Sequence, residues 1–565
     1  MIQHPIETPD TLYLPDRAAL AINALVGCLN PEKDALPFCL VDLTGAPPRM
    51  RHTQFDYSDH TSRVIDALLS AQHLTGSQEG DDALADLLPL FWAGFAEDGL
   101  HYTPDNPWTG RHANMHYQRS VLNALISLIK FRNDDRAREQ AKKLVRGLHS
   151  ISIWRDGFAY FPSVEYLPDG WPRGDWGILG YGIDPANTNG RLIYGLVELA
   201  ELTGDKEARE LAAGYVEHVM HHSAAFQHDG SFSVGMEFRE GHFHSRALTM
   251  LGVIRYGVTF GDAAAVEWGR RVFERAKQYG TAFGWFPERV EKSQAFGCET
   301  CAVVDMLEAA MWLGKAGHVE CWQDAERFLR NQLVESQLLD DSSLQRTSHE
   351  ARADEWETTV DVARRSVGGF AGWSMPNDFV AKVMHDWDLY TCCSAQGVRG
   401  LLNAWTEATT TTDREITVNL LLTKIDETVI VRSWLPVEGR IEVSPLVDAD
   451  VLVRIPGWAD RRQISVTVDG SPTDVIFSGH GYLRVRDVSS EQTVSVRFEV
   501  TDHRMTQTVL DVDYTTEWAG DTVRSIEPSG ARFPLYASAE RSARAVTTSV
   551  KSNTPKDREA QEERV

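Results

Sequence analysis

The chain has 565 residues, with 56 Lys and Arg set against 81 Asp and Glu for a formal net charge of −25. That length suggests more than one domain around a large core. The acidity argues against nucleic acid or an anionic membrane as the main partner, because both require basic surface. The opening stretch MIQHPIETPDTLYLPDR lacks a basic segment followed by an apolar one, and no apolar run approaches the roughly 20 residues that span a bilayer, so the expected location is the cytoplasm. In that reducing setting the seven cysteines serve more readily as ligands, nucleophiles or core residues than as disulfide partners. The 16 Trp fit aromatic-lined pockets.

Helical periodicity dominates up to about residue 408, with amphipathic segments at 63–74, 119–131, 191–203, 246–258, 302–313 and 398–405. Second helices fall at 134–148, 205–220, 262–279 and 319–333, and turns such as Thr75-Gly76, Thr203-Gly204 and Gly261-Asp262 separate first from second. Helix pairs recurring at roughly 55–95 residues predict a repeat architecture, an (α/α)6 barrel over 1–410. After Arg414 the pattern becomes short alternating runs with turns such as Asp469-Gly470, which predicts a β-sandwich over 411–539. The tail, 540–565, is polar and expected to be disordered.

The residues that open the first helices share a character. His60 precedes one, His112 and His116 the next, then Asn187 and Asn189, His242 and His244, Glu299 and Cys301, and finally Cys392 and Cys393. If these helices form the inner ring, all their entry points lie at one mouth. A general preference of polar residues for helix starts accounts for Asn, but poorly for His and Cys.

The cysteines permit several arrangements. Cys298 and Cys301 with Cys392-Cys393 would give four thiolates and a closed structural zinc site, whereas Glu299 and Cys301 with the same pair would give three sulfurs and one oxygen and leave one thiolate reactive. Both groups sit where a helix dipole stabilises thiolate. A third arrangement treats them as small buried residues.

The run Ala295-Phe296-Gly297-Cys298-Glu299-Thr300-Cys301-Ala302, followed by Tyr390-Thr391-Cys392-Cys393, resembles glycoside hydrolase family 127, the β-L-arabinofuranosidases. Val453-Arg454-Ile455-Pro456-Gly457-Trp458-Ala459 and the order of helical barrel then sandwich resemble it too. The resemblance implies that Glu299, Cys301, Cys392 and Cys393 bind zinc and that Cys392 is the nucleophile of a retaining exo-glycosidase acting on a small glycoside. It also implies a glutamate acid/base upstream of Glu299. Glu288, in the aromatic, Pro-bounded stretch Trp285-Phe286-Pro287-Glu288, is preferred to Glu291.

His242 or His244 occupies the place where the family binds sugar, and His112 and His116 are similar candidates. Trp171, Trp176, Trp373 and Trp387 are candidates for stacking on sugar faces. The cluster His218, His221, His222 reads as outer-helix surface. Two departures lie near this site. Ser394-Ala395-Gln396-Gly397 follows the double cysteine where the family typically has prolines and an asparagine, and Arg191 stands where it commonly has histidine, a charge that would suit an acidic sugar. The competing expectations are a barrel lyase or epimerase, and a non-catalytic carbohydrate-binding protein with structural zinc. A homo-oligomer is possible through a sandwich edge.

Overall fold

A computed structural model describes residues 12–172, 184–235, 241–291, 297–342, 344, 353–381, 387–474, 476–477 and 481–536. The tail and Trp176 lie outside the described residues.

The helices, in chain order, are α1 (Leu14–Gly27), α2 (Thr61–Thr75), α3 (Asp81–Ala93), α4 (Met115–Arg132), α5 (Asp135–Ile151), α6 (Ile193–Thr203), α7 (Lys206–Glu217), α8 (Phe243–Phe260), α9 (Ala263–Lys277), α10 (Thr300–Lys315), α11 (Cys321–Phe328), α12 (Val362–Ser366) and α13 (Thr391–Glu407). The six segments that the periodicity marks as first helices are α2, α4, α6, α8, α10 and α13. Each packs against the next, and α13 packs back against α2, so they follow one another in a closed cycle. They are buried on nearly every face, as helices inside a two-layered ring must be.

The outer helices are one-sided. In α5 only Ala137, Ala141, Leu144, Val145, Gly147 and Leu148 are buried, at three- and four-residue spacing. α3, α5, α7, α9 and α11 each pack on the inner helix before them. The sixth outer position, against α13 and α2, is filled by α1 from the start of the chain.

Capping makes the two ends of this cycle different. The inner helices α4, α6 and α8 end in a left-handed residue, Asn133, Gly204 and Gly261, and the next residue, Asp134, Asp205 or Asp262, caps the outer helix with its carboxylate. These two-residue turns close one end tightly. The return connections, from outer to inner helix, are long and converge on the N-termini of the inner helices.

Beyond α13, two sheets form a sandwich. Their strand orders are Thr409–Thr411, Glu415–Val418, Ala449–Arg454, Tyr482–Val488, Ile476–Phe477 and Lys424–Ile425, Val429–Ser433, Arg440–Pro445, Val494–Arg497, Ser465–Val468, Ser471–Pro472. Alternate residues such as Val429, Val431, Ile441 and Val443 point into a core separate from that of the helices. The last three strands, Asp502–Val509, Val512–Ala519 and Thr522–Glu527, behave differently: Val509, Tyr514, Trp518, Val523 and Ile526 join the helical core. α11 and the turn after it hold the sandwich in place, with Glu326 buried against Arg330 at 2.7 Å and against Arg454, and Arg330 bonded to the Leu421 carbonyl at 2.6 Å.

Candidate active site

Four side chains from two inner helices converge at the open end. Glu299 is the N-cap residue of α10 and Cys301 its second residue, while Cys392 and Cys393 are the second and third of α13. The Sγ atom of Cys301 lies 3.9 Å from that of Cys392 and 3.7 Å from that of Cys393, and Cys392 and Cys393 are 3.9 Å apart. Donor atoms of all four residues fall within 4.8 Å of one another, all buried.

The spacing fits a metal. Zn–S bonds of about 2.3 Å at the tetrahedral angle put sulfurs about 3.8 Å apart. Glu299 adds a hard donor: its Oε2 is buried without a hydrogen bond of full geometry, and His242 Nε2 lies 3.5 Å from it. Cys298 points elsewhere, its sulfur accepting the Phe286 amide at 3.3 Å, so the three-sulfur, one-oxygen set is the one the fold assembles. The chain is shaped to deliver it. Gly297 holds φ +116°, and a Cβ there would stand 2.9 Å from Ala381 Cβ and 3.1 Å from the Ser374 carbonyl. Opposite, the Thr391 amide bonds the Cys39 carbonyl at 3.0 Å, and its hydroxyl bonds that of Phe38 at 2.5 Å, fixing the start of α13.

The thiols are not equivalent. Burial opposes ionisation of all three, yet Cys392 is drawn down to about 6 by hydrogen bonds from Cys301 and Cys393 and by the Arg63 guanidinium, whereas Cys301 and Cys393 are pushed well above the usual thiol value. Arg63, on α2, is held by Asp59 at 2.7 Å, and its Nη1 is buried without a hydrogen bond. Asp59 also accepts from Ser120 at 2.5 Å, and against its burial Arg63 and His116 keep its carboxyl well below the usual range.

Glu288 reaches the cluster through His242. The Nε2 atom of His242 lies 3.8 Å from Glu288 Oε1, so one imidazole faces both Glu288 and Glu299. Its Nδ1 accepts the Ser245 amide at 3.4 Å and meets the Ser245 hydroxyl at 2.6 Å, an arrangement that leaves the proton on Nε2, toward the carboxylates. The backbone supports this pairing, since the Phe243 amide bonds the Glu288 carbonyl at 2.7 Å and the Glu288 amide that of Gly297 at 2.8 Å. Glu291 is half-buried.

The remaining candidates divide. His116 Nε2 lies 3.3 Å from Arg191 Nη1 and 3.7 Å from Asp59 Oδ2, and burial together with Arg191 keeps the imidazole neutral. Arg191 is 1% exposed and bound to the Ala186 carbonyl at 2.9 Å and to the Ser245 hydroxyl, so it ties His116 to the His242 cap. His244 Nδ1 meets Asp305 Oδ2 at 2.5 Å while its Nε2 is buried without a hydrogen bond; burial pushes Asp305 up and His244 down.

His112 is tied to its own loop by the Gly110 carbonyl at 2.9 Å. Trp387 carries Arg49 over its ring at 5.2 Å. Trp373 stacks on Tyr390 at 5.4 Å, and Tyr390 packs against the three thiols. Trp171 is half-buried and donates to the Ile151 carbonyl at 3.0 Å. His218 is buried rather than on the surface, packed against Phe158 and Tyr160, while His221 and His222 are exposed.

Asp59, Arg63, Ser245 and Asp305 belong to this site without having stood out in the sequence. The signal that was there is charge inside otherwise buried inner helices: Arg63, Arg119 and Asp305 are each 5% exposed or less.

A six-helix cycle carrying a sandwich and a buried Glu–Cys–Cys–Cys cluster is thus the class of protein that fold and site define. No protein-family model and no curated protein matches the chain. Among solved structures it is similar to a GH127 β-L-arabinofuranosidase from Geobacillus stearothermophilus T6, at 15% identity and TM-score 0.58 over 90% of this chain and 80% of that one. It is similar also to a second GH127 β-arabinofuranosidase, at 14% identity and TM-score 0.61 over 92% and 83%. A third, described as a glycoside hydrolase, stands at 12% identity and TM-score 0.56 over 87% and 84%. At these identities the likeness establishes a shared fold.

Proposed function

We propose that the chain is a zinc-dependent retaining glycoside hydrolase of the GH127 kind, with the helical cycle as an (α/α)6 barrel and Cys392 as nucleophile, acting on a β-L-arabinofuranoside or a related small glycoside. The observation that carries this is the set of four buried donors, one carboxylate and three thiols, at tetrahedral spacing. The fold shared with two β-arabinofuranosidases supports it.

Bound zinc would be held by Glu299, Cys301, Cys392 and Cys393, and would supply the positive charge that keeps three neighbouring sulfurs ionised near neutral pH. In the first step the Cys392 sulfur bonds the anomeric carbon as the glycosidic C–O bond breaks, and Glu288 gives its proton to the leaving oxygen. In the second, Glu288 takes a proton from water, the water oxygen bonds the anomeric carbon, and the C–S bond breaks to return the Cys392 thiolate. Two displacements retain configuration. His242 carries an N–H toward Glu288 and Glu299 and orients both. His116 and His244 are neutral imidazoles suited to sugar hydroxyls.

The structure supplies contacts that occupy Arg191 within the protein, which favours a positioning role for it over recognition of an acidic sugar. A purely structural metal is the competing reading, favoured by the burial of all four donors. A screen of aryl pentofuranosides and hexosides, with zinc measured on the same sample, separates the two. Turnover that needs metal and is lost in Cys392→Ser supports the proposal, whereas a metal-free active enzyme, or a metal-loaded chain inert on every glycoside, contradicts it.

A further inference from the structure

We infer that Asp56, His60 and Cys39 form a buried relay that fixes the hydroxyl of Tyr390, and that the Tyr390 ring so held controls access to Cys392. His60 opens α2 at the mouth of the cycle, yet the two displacements proposed above do not use it. Cys39, Asp56 and His60 are each 0% exposed. The inference rests on the reading of Cys392 as the reactive thiol, and adds the positioning residues that shape the approach to it.

The relay runs in one direction. Asn30 donates its side-chain amide to His52 Nε2 at 2.9 Å, so His52 carries its proton on Nδ1 and gives it to Asp56 Oδ2 at 2.7 Å. The Thr53 amide bonds the same oxygen at 2.8 Å. Asp56 Oδ1 takes the N–H of His60 Nδ1 at 3.1 Å, which turns Nε2 toward the Cys39 sulfur at 3.9 Å. Cys39 in turn accepts the Tyr390 hydroxyl, with the Thr53 hydroxyl also beside its sulfur. The spacing of Cys39, Asp56 and His60 would admit an ion, but both Asp56 oxygens are already in use, so the three serve better as a relay.

The far end of the relay touches the thiols. Tyr390 stands two residues before Cys392, on a short strand that pairs Leu389 with Val41 and Tyr390 with Leu40, next to Cys39. Its ring stacks on Trp373 at 5.4 Å, and the His60 ring meets it edge-on at 5.3 Å. It packs against Cys301, Cys392 and Cys393 while staying half-buried itself. Cys392 is 4% exposed and the other two thiols 0%, so the thiol with an opening lies beside this ring. Stacking sets the plane of the ring but lets it slide within that plane, and the hydroxyl bond to Cys39 removes that freedom. A buried polar chain with its members satisfied specifies one position, which an apolar trio of the same volume does not.

The test is the rate at which iodoacetamide alkylates Cys392 in the full chain at fixed pH, located by fragment-ion mass spectrometry. It needs no substrate, so its failure is distinct from a failure to hydrolyse glycosides. Tyr390→Phe keeps the ring and loses the hydroxyl, and Cys39→Val keeps the volume and loses the acceptor. Each should speed alkylation by about three- to tenfold, the range that one lost hydrogen bond allows. The double variant should be no faster than either single one, because both changes break the same bond. Cys39→Ser still accepts from tyrosine and donates to histidine, and should stay within about twofold of the unaltered chain. An unchanged rate in Tyr390→Phe, additive effects in the double variant, or Cys39→Ser as fast as Cys39→Val would overturn the inference. If Cys39→Val does not fold, the other two single variants decide the matter: faster alkylation in Tyr390→Phe but not in Cys39→Ser supports the relay, and any other pattern overturns it.

Discussion

The sulfurs of Cys301 and Cys392 meet at 3.9 Å across 91 residues of chain, each at the second position of its own inner helix. Because the two helices are neighbours in the cycle, their N-termini bring both thiols to the same electropositive end.

Replacing Cys392 with Ser should lower kcat by on the order of 10³-fold or more while leaving the far-ultraviolet dichroism unchanged, since the side chain is nearly isosteric and loses only nucleophilicity. Zinc content should fall only partly, because Glu299, Cys301 and Cys393 remain. Atomic absorption and steady-state kinetics on one preparation check both expectations.

Glu288→Gln should slow substrates with poor leaving groups by about 10²–10⁴-fold and spare those with activated ones in the first step. Added azide should restore turnover by replacing water in the second. A uniform loss across leaving groups would assign Glu288 to binding instead.

Arg191→Lys should raise KM and broaden the pH profile more than it lowers Tm. Arg191 makes three separate contacts, to His116, the Ala186 carbonyl and Ser245, and an ammonium cannot span them as a guanidinium does. Recovery of wild-type KM in Arg191→Lys would contradict its positioning role.

Acid should destabilise the helical region through His101. This imidazole is 2% exposed, meets the Phe91 carbonyl through Nε2 at 2.9 Å and Ser58 through Nδ1 at 3.0 Å, and burial lowers its pKa from 6.5 to about 4. A base whose folded pKa is depressed binds its proton first in the unfolded chain. Its contribution, about 3 kcal/mol, is therefore present above pH 6.5 and lost as pH falls through 4. Urea unfolding of the unaltered chain and of His101→Gln across that window should show a shallower slope for the variant.

The inner helices were legible because burial on nearly every face makes them long, largely apolar runs, and their glycine ends because a left-handed residue closes those turns. The helices α1 and α3 were not. α3 carries Pro89 inside it, which breaks the pattern, and α1 completes the cycle from the far end of the chain, a partnership no local window can display. The cluster was legible because adjacent cysteines are rare, but which of Cys298 and Glu299 enters it was open until the fold turned Cys298 toward the Phe286 amide. Asp59, Arg63 and Asp305 were hidden for a different reason: their roles come from which helices are neighbours, and sequence spacing alone does not say that Arg63 on α2 faces a thiol on α13.

The central claim is that Cys392 forms a covalent bond to the sugar, and peptide mass spectrometry tests it most directly. In the Glu288→Gln variant a dinitrophenyl glycoside supplies its own leaving group while the second step lacks its base, so the intermediate should accumulate. The account predicts a glycosyl mass increment on the peptide containing Cys392, and none when Cys392 is replaced. An increment on a carboxylate residue, or steady turnover in Cys392→Ser, would contradict it.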